Sequence, residues 1–217
     1  MPIGTPESTP VSDFFPVFVN LRNQLILIIG GGNVAERKAQ ALFQAGSNIT
    51  LVAPRICQGI RTMTGISLRE RPVEERDLDE NWRLVVLATD HFQTQEQFAI
   101  LCQKRRLWVN RVDSPATSDF ITGSRFSRPP FVGAIIASGT PGLAAIARER
   151  IETALDPALC QLASLLNEVR PLVQNHWEDP PQRPVFFRTW ATKEALARVE
   201  TEGIEVIRRE VLQCLSS

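Results

Sequence analysis

Three features of the chain predict an α/β fold built on a doubly wound, largely parallel sheet. Residues 25–29 form an apolar run that is broken at once by Gly30-Gly31-Gly32, and the residues from Ala35 to Leu42 then read as a helix. Residues 49–53 and 84–88 are apolar almost throughout, the mark of strands covered on both faces rather than on one. Helical stretches alternate with these runs over about 110 residues, which is the order that feeds parallel pairing.

Each element has a local reason. Ala45-Gly46 closes the first helix, because glycine accepts the left-handed conformation of a C-terminal cap. Pro54 ends the second strand, 67–71 reads as a third and more exposed strand, and a helix fits 93–106 with apolar positions at Phe98, Ile100 and Leu101. Residues 107–112 return to strand, while 15–19, with Pro16 near its start, could pair at a sheet edge. After Pro115 the pattern changes. Residues 119–124 and 131–137 are β-like runs about 125–130 and suggest an antiparallel pair, and Pro141 opens a helix to about Leu155. Leucines recur at helical spacing from Asp156, and the proline-rich link 179–184 precedes a last helical stretch through Leu215. The expected regions are 1–115, a connector at 116–155 and a helical part at 156–217.

Composition narrows the function. The chain of 217 residues carries 24 basic and 24 acidic side chains, so no bulk attraction to nucleic acid or to a membrane surface is expected. The N-terminus lacks the basic and apolar segments of a signal peptide, and no apolar run approaches the ~20 residues of a membrane span, so the expected location is cytoplasmic. Cys57, Cys102, Cys160 and Cys214 are scattered and His91 and His176 are the only histidines, which argues against a permanent metal centre.

Strand, tight glycine turn and helix start make the G-x-G-x-x-A dinucleotide fingerprint of a Rossmann-like domain, at Gly30, Gly32 and Ala35. Gly30 permits the turn, Gly32 lets a pyrophosphate approach the backbone, and Ala35 lets the helix pack on its strand. The helix N-terminus offers free N–H groups to the phosphates. The second strand ends Val52-Ala53-Pro54-Arg55, with no acid to bind the adenosine ribose, and Arg55 could receive a 2′-phosphate. Thr89 and Asp90 end the fourth strand, beside the cofactor or as caps of the next helix.

The runs Gly30-Gly31-Gly32-Asn33-Val34-Ala35-Glu36-Arg37-Lys38-Ala39, Leu87-Ala88-Thr89-Asp90, Asn110-Arg111-Val112-Asp113-Ser114-Pro115 and Ser138-Gly139-Thr140-Pro141 occur in order. Together they resemble the precorrin-2 dehydrogenase / sirohydrochlorin ferrochelatase family, including the N-terminal module of the siroheme synthases, over about residues 15–190. The resemblance implies NAD-dependent oxidation of precorrin-2, ferrous iron as a second substrate where chelatase activity is present, a homodimer formed through the connector, and hand-over from a separate uroporphyrinogen methyltransferase. It implies catalysis by Asp113, which would hold a metal only transiently. A proton must leave as hydride goes to the nicotinamide, and a carboxylate in reach can take it. It also implies cofactor contacts at Asn33 and Val34, alongside Gly30, Gly32, Pro54, Arg55 and Thr89. NAD rather than NADP is expected, because relatives with a similar acid-free strand end use it. A substrate with eight carboxylates would be met by Arg125, Arg128 and Arg148 and by the helix start at Ser138. That loop is one residue shorter than the S-x-G-x-S-P pattern of relatives, which bears on chelation more than on dehydrogenation. The alternatives are a non-catalytic NAD(H)-sensing module, which would not need Asp113, and a chelatase without redox function.

Overall fold

The computed structural model describes residues 14–112, 114–137, 139–177 and 181–216. Asp113 and Ser138 therefore lie outside the described residues, as does part of the 179–184 link. The chain divides into two compact units, 1–122 and 123–217.

In the first unit, β1 (Leu25–Ile29) leads through the glycine turn into α1 (Asn33–Gln44) and β2 (Asn48–Val52). A short helix, α2 (Gln58–Arg61), precedes β3 (Ser67–Arg69), and β4 (Leu84–Leu87), α3 (Phe92–Lys104) and β5 (Val109–Arg111) follow. The strands form one parallel sheet in the order β3-β2-β1-β4-β5, so the predicted doubly wound fold is the observed one. The period of two explains the unbroken apolar runs. Ile26 and Ile28 of β1 join Ala35, Ala39 and Leu42 of α1 on one face. Leu27 and Ile29 join Phe98 and Cys102 of α3 on the other.

Outside the core, three expectations differ from the structure. Residues 15–19 form no strand and are solvent-exposed, Phe15 at 85% and Phe18 at 78%; Pro16 lacks one of the donors that so short an edge strand would need. The antiparallel pair is shifted. Its strands are β6 (Ser124–Arg128) and β7 (Phe131–Ile135), so the expected turn 125–130 is mostly strand and only Pro129-Pro130 turns. Asp119 and Phe120 instead bond to β5, Asp119 exchanging hydrogen bonds with Val109 and the Phe120 carbonyl accepting from Asn110. The cap of α3 is His91, whose Nδ1 accepts from the Thr94 amide at 3.3 Å, rather than Thr89 or Asp90.

In the second unit, α4 (Pro141–Ala154) packs on the β6-β7 hairpin, and α5 (Pro157–Glu168) starts at Asp156, whose carboxylate accepts from the Leu159 amide at 2.8 Å. The remaining helices are α6 (Arg170–His176), α7 (Gln182–Trp190), α8 (Lys193–Glu202) and α9 (Ile204–Cys214). The last helical stretch is thus broken at 191–192 and at Gly203, where a φ of 86° favours glycine. Leu165, Val173, Phe186, Val199, Ile207 and Val211 close a separate core. Phe186 gives the 183–188 segment a structural use: its ring lies 5.4 Å from that of Trp177. No helix among the described residues is long and apolar enough to cross a membrane.

A glycine-walled cleft at the carboxyl ends of the strands

The residues that follow β1, β2, β4 and β5 meet in a cleft of about 510 Å³, within the usual range for small-molecule sites. Gly30, Gly31, Gly32, Asn33 and Val34 form one wall. Ala53, Pro54, Arg55, Ile56 and Cys57 form a second, and Ala88, Thr89, Asp90 and Val112 complete it. Parallel strands project their carboxyl ends to one edge, so segments distant in sequence converge there.

The glycines do different work. Gly30 has a φ of +133°, and a Cβ there would stand 2.2 Å from the Ala88 carbonyl oxygen. A Cβ on Gly31 would stand 2.1 Å from the Arg55 carbonyl oxygen, while the Gly31 carbonyl accepts from the Cys57 amide at 2.8 Å. Gly31 thus welds the turn to the segment after β2, a role that the G-x-G-x-x-A reading does not assign. Gly32 differs again: a Cβ there would meet nothing within 4 Å. It faces open space in the cleft, just where α1 begins without a side-chain cap. Glu36 is the first residue whose amide bonds into this helix, to the Gly32 carbonyl at 3.0 Å. The amides ahead of it point toward an incoming anion, with the positive end of the helix dipole behind them. Open backbone, uncapped helix start and cleft size fit a dinucleotide, which Gly32, Asn33 and Val34 would hold at its pyrophosphate.

Elsewhere the cleft is braced. Thr89 accepts the His91 amide on its hydroxyl at 3.2 Å and the Gln95 side chain on its carbonyl at 2.5 Å, leaving its hydroxyl proton to donate. Glu36, one turn into α1, accepts from Gln40 at 3.1 Å and from the Cys57 thiol at 3.3 Å.

At the end of β5, the Arg111 amide donates to the Ser118 hydroxyl at 2.8 Å, and the Ser114 amide donates to the Arg111 carbonyl at 3.2 Å. The residues flanking Asp113 are held in this way. Asn110 donates to the Phe120 carbonyl at 2.9 Å, and Arg111 pairs with Glu96. Among the described residues, Asn110 Oδ1 and Arg111 Nε are buried without a hydrogen-bond partner. Lys38 on α1 reaches Thr122; burial, and then the neighbouring Arg37, lower its pKa from the usual lysine value.

In the second unit, Arg128 donates to the Glu152 carbonyl at 2.9 Å and Arg148 pairs with the Glu152 carboxylate at 2.8 Å. The Arg128 guanidinium therefore ties the hairpin to α4, the Arg148 pair lies along α4 itself, and Arg125 is exposed on β6. No group of side chains among the described residues could hold a metal ion.

The fold and the cleft define a nucleotide-binding α/β domain. A family model described as "Putative NAD(P)-binding" matches residues 17–124. Over 190 residues the chain is similar to siroheme synthases. It is 33% identical over 190 residues to that of Salmonella heidelberg (strain SL476), covering 86% of this chain and 41% of the relative, and equally to that of Salmonella typhimurium (strain LT2). The chain thus spans about two fifths of the length of these relatives. In three dimensions it resembles "SirC, precorrin-2 dehydrogenase", with a TM-score of 0.75 at 24% identity over 94% of this chain and 99% of the other. That likeness establishes the fold.

Proposed function

We propose that the chain is an NAD-dependent precorrin-2 dehydrogenase, acting in the cytoplasm to form sirohydrochlorin in siroheme biosynthesis. One observation carries the reading: the cleft is open at Gly32 beside the uncapped start of α1, in a chain similar to siroheme synthases. Removing two hydrogens from the reduced macrocycle sends a hydride to the nicotinamide and releases a proton. Bound NAD supplies the hydride acceptor. The protein supplies position and a base. Gly30, Gly32, Asn33 and Val34 hold the pyrophosphate, Pro54 and Arg55 border the adenosine side, and Thr89 offers its hydroxyl proton near the other end. Asp113, next after the cleft-lining Val112, takes the proton. Arg125, Arg128, Arg148 and the helix start at Ser138 receive substrate carboxylates.

The test is anaerobic turnover of precorrin-2 with NAD, following sirohydrochlorin and NADH absorbance together. Loss of a general base costs about 10²- to 10⁴-fold, so Asp113→Ala is expected to fall by that factor while still binding NADH. A wild-type rate in that variant removes Asp113 from the mechanism. A wild-type protein that binds NADH yet turns nothing over favours the sensing module instead. Ferrous iron is proposed as a further substrate, inserted into sirohydrochlorin; adding it to the same cuvette shows siroheme formation or its absence. We also propose a homodimer formed through the connector, where Val132 and Ile146 are 48% and 49% exposed. A separate methyltransferase would supply precorrin-2.

A further inference from the structure

We propose that Arg55 is a specificity residue that lets the cleft take a dinucleotide bearing a 2′-phosphate, NADP(H), alongside NAD(H). This rests on reading the cleft as a nicotinamide-dinucleotide site. In a doubly wound domain the residues after β2 face the adenosine ribose. An acid there accepts the 2′-hydroxyl and repels a 2′-phosphate, whereas an arginine accommodates the phosphate. Here the segment after β2 is Ala53-Pro54-Arg55, and all three residues line the cleft. Among the described residues of the lining, the one carboxylate is Asp90, which follows β4. β4 lies on the opposite side of β1 from β2. Glu36, the nearest acid on α1, is outside the lining and is engaged by Gln40 and Cys57.

Two further observations place the guanidinium. The Arg55 backbone packs closely on Gly31, whose missing Cβ leaves room for the Arg55 carbonyl, and the Cys57 amide two residues on donates to the Gly31 carbonyl. Its side chain is solvent-exposed, and no hydrogen bond or ion pair engages it among the described residues. Six of the other ten arginines of the unit are committed: Arg61 to Glu70, Arg69 and Arg71 to Asp77, Arg76 to Glu74, Arg105 to Asp79 and Arg111 to Glu96. Arg55 is thus an unengaged cation, among the described residues, at the edge of the cleft where a 2′-phosphate would lie. Its planar fork suits phosphate better than a point charge does.

The experiment is fluorescence titration of the full chain with NADH and with NADPH, with no tetrapyrrole present. The dissociation constants are expected to lie within about tenfold of each other. Arg55→Ala is expected to raise the NADPH-to-NADH ratio about tenfold and Arg55→Glu about a hundredfold, with Arg55→Lys recovering part of the loss. Raising salt from 50 to 500 mM is expected to weaken NADPH more than NADH, because only the extra phosphate adds a screened charge pair. Circular dichroism of each variant verifies folding. Tight NADH binding with NADPH at least a hundredfold weaker overturns this assignment and leaves the dehydrogenase reading intact. An unchanged ratio in Arg55→Glu also overturns it. If neither nucleotide binds, the cofactor reading of the cleft falls, and this inference with it.

Discussion

Replacing Gly32 by alanine separates cofactor binding from folding, because adjacent glycines in one turn face opposite surroundings. Gly32 has a φ of −89° and a ψ of −174°, which any residue adopts, and its added Cβ meets nothing within 4 Å. Alanine is a poorer N-cap than glycine, but it reduces unfolded-chain entropy, an offset of about 0.4–1 kcal/mol. Stability is expected to stay within about 1 kcal/mol of wild type. Binding has no such offset. The methyl group projects into the cleft at the uncapped start of α1 and holds a pyrophosphate off the free amides. A hydrogen bond to a charged group contributes about 1.5–3 kcal/mol. Losing one of about 2 kcal/mol weakens NADH roughly thirtyfold. The matched control is Gly31→Ala, where the Cβ would stand 2.1 Å from a carbonyl oxygen; overpacking of this kind costs about 1–3 kcal/mol. Urea unfolding followed by tryptophan fluorescence reads stability, and NADH titration reads binding. Wild-type NADH affinity in Gly32→Ala would refute the placement of the pyrophosphate, and a loss of several kcal/mol would refute the open space at Gly32.

Other consequences follow from the cores and the charges. Asp77 is buried among Arg71 at 2.6 Å, Arg69 at 3.1 Å and the Glu74 amide at 2.8 Å; these partners, Arg71 foremost, hold its carboxyl down at about 2. A depressed carboxyl stabilises the fold above its unfolded pKa and loses that contribution as pH falls toward the folded value. About 2 kcal/mol is therefore present at pH 7 and disappears between about pH 4 and pH 2. Urea titrations of Asp77→Asn should show this gap at pH 7 and its closure near pH 2; an equal gap at both would refute the pairing. Burial pushes the Cys102 thiol up to about 12, so a disulfide reagent at pH 8 is expected to label exposed Cys214 in the native protein and Cys102 only after unfolding. Ile207→Ala empties a fully buried site in the second unit and is expected to cost about 3 kcal/mol by thermal or urea unfolding.

The sheet was legible because its information is local. Each strand from β1 to β5 coincides with an apolar or alternating run, and α1 begins and ends at signals carried by its own residues, the glycine turn and Gly46. The second glycine of the turn, Gly31, was not legible, because its constraint is the carbonyl of Arg55, 24 residues on. His91 as the cap of α3 was also missed; an aromatic ring nitrogen is a rarer cap than the neighbouring threonine and aspartate. The hairpin was displaced for a related reason. Residues 119–124 look like a strand, but Asp119 and Phe120 spend their hydrogen bonds on β5, so pairing starts at Ser124.

By itself, then, the amino-acid order determined the class of fold, the cleft's glycine turn and the acid-free end of β2. These depend on periodicity and on residue chemistry within a few positions. Only the tertiary structure decided that Gly31 is a packing position and Gly32 an open one, and that Arg128 ties β6 to α4. It also decided that Arg55 stands at the rim with no side-chain partner among the described residues, while Arg61, Arg69 and Arg71 are engaged. Those outcomes turn on which carbonyls and carboxylates the folded chain brings within 3 Å of a given side chain, and such distances arise only when segments far apart in sequence pack together.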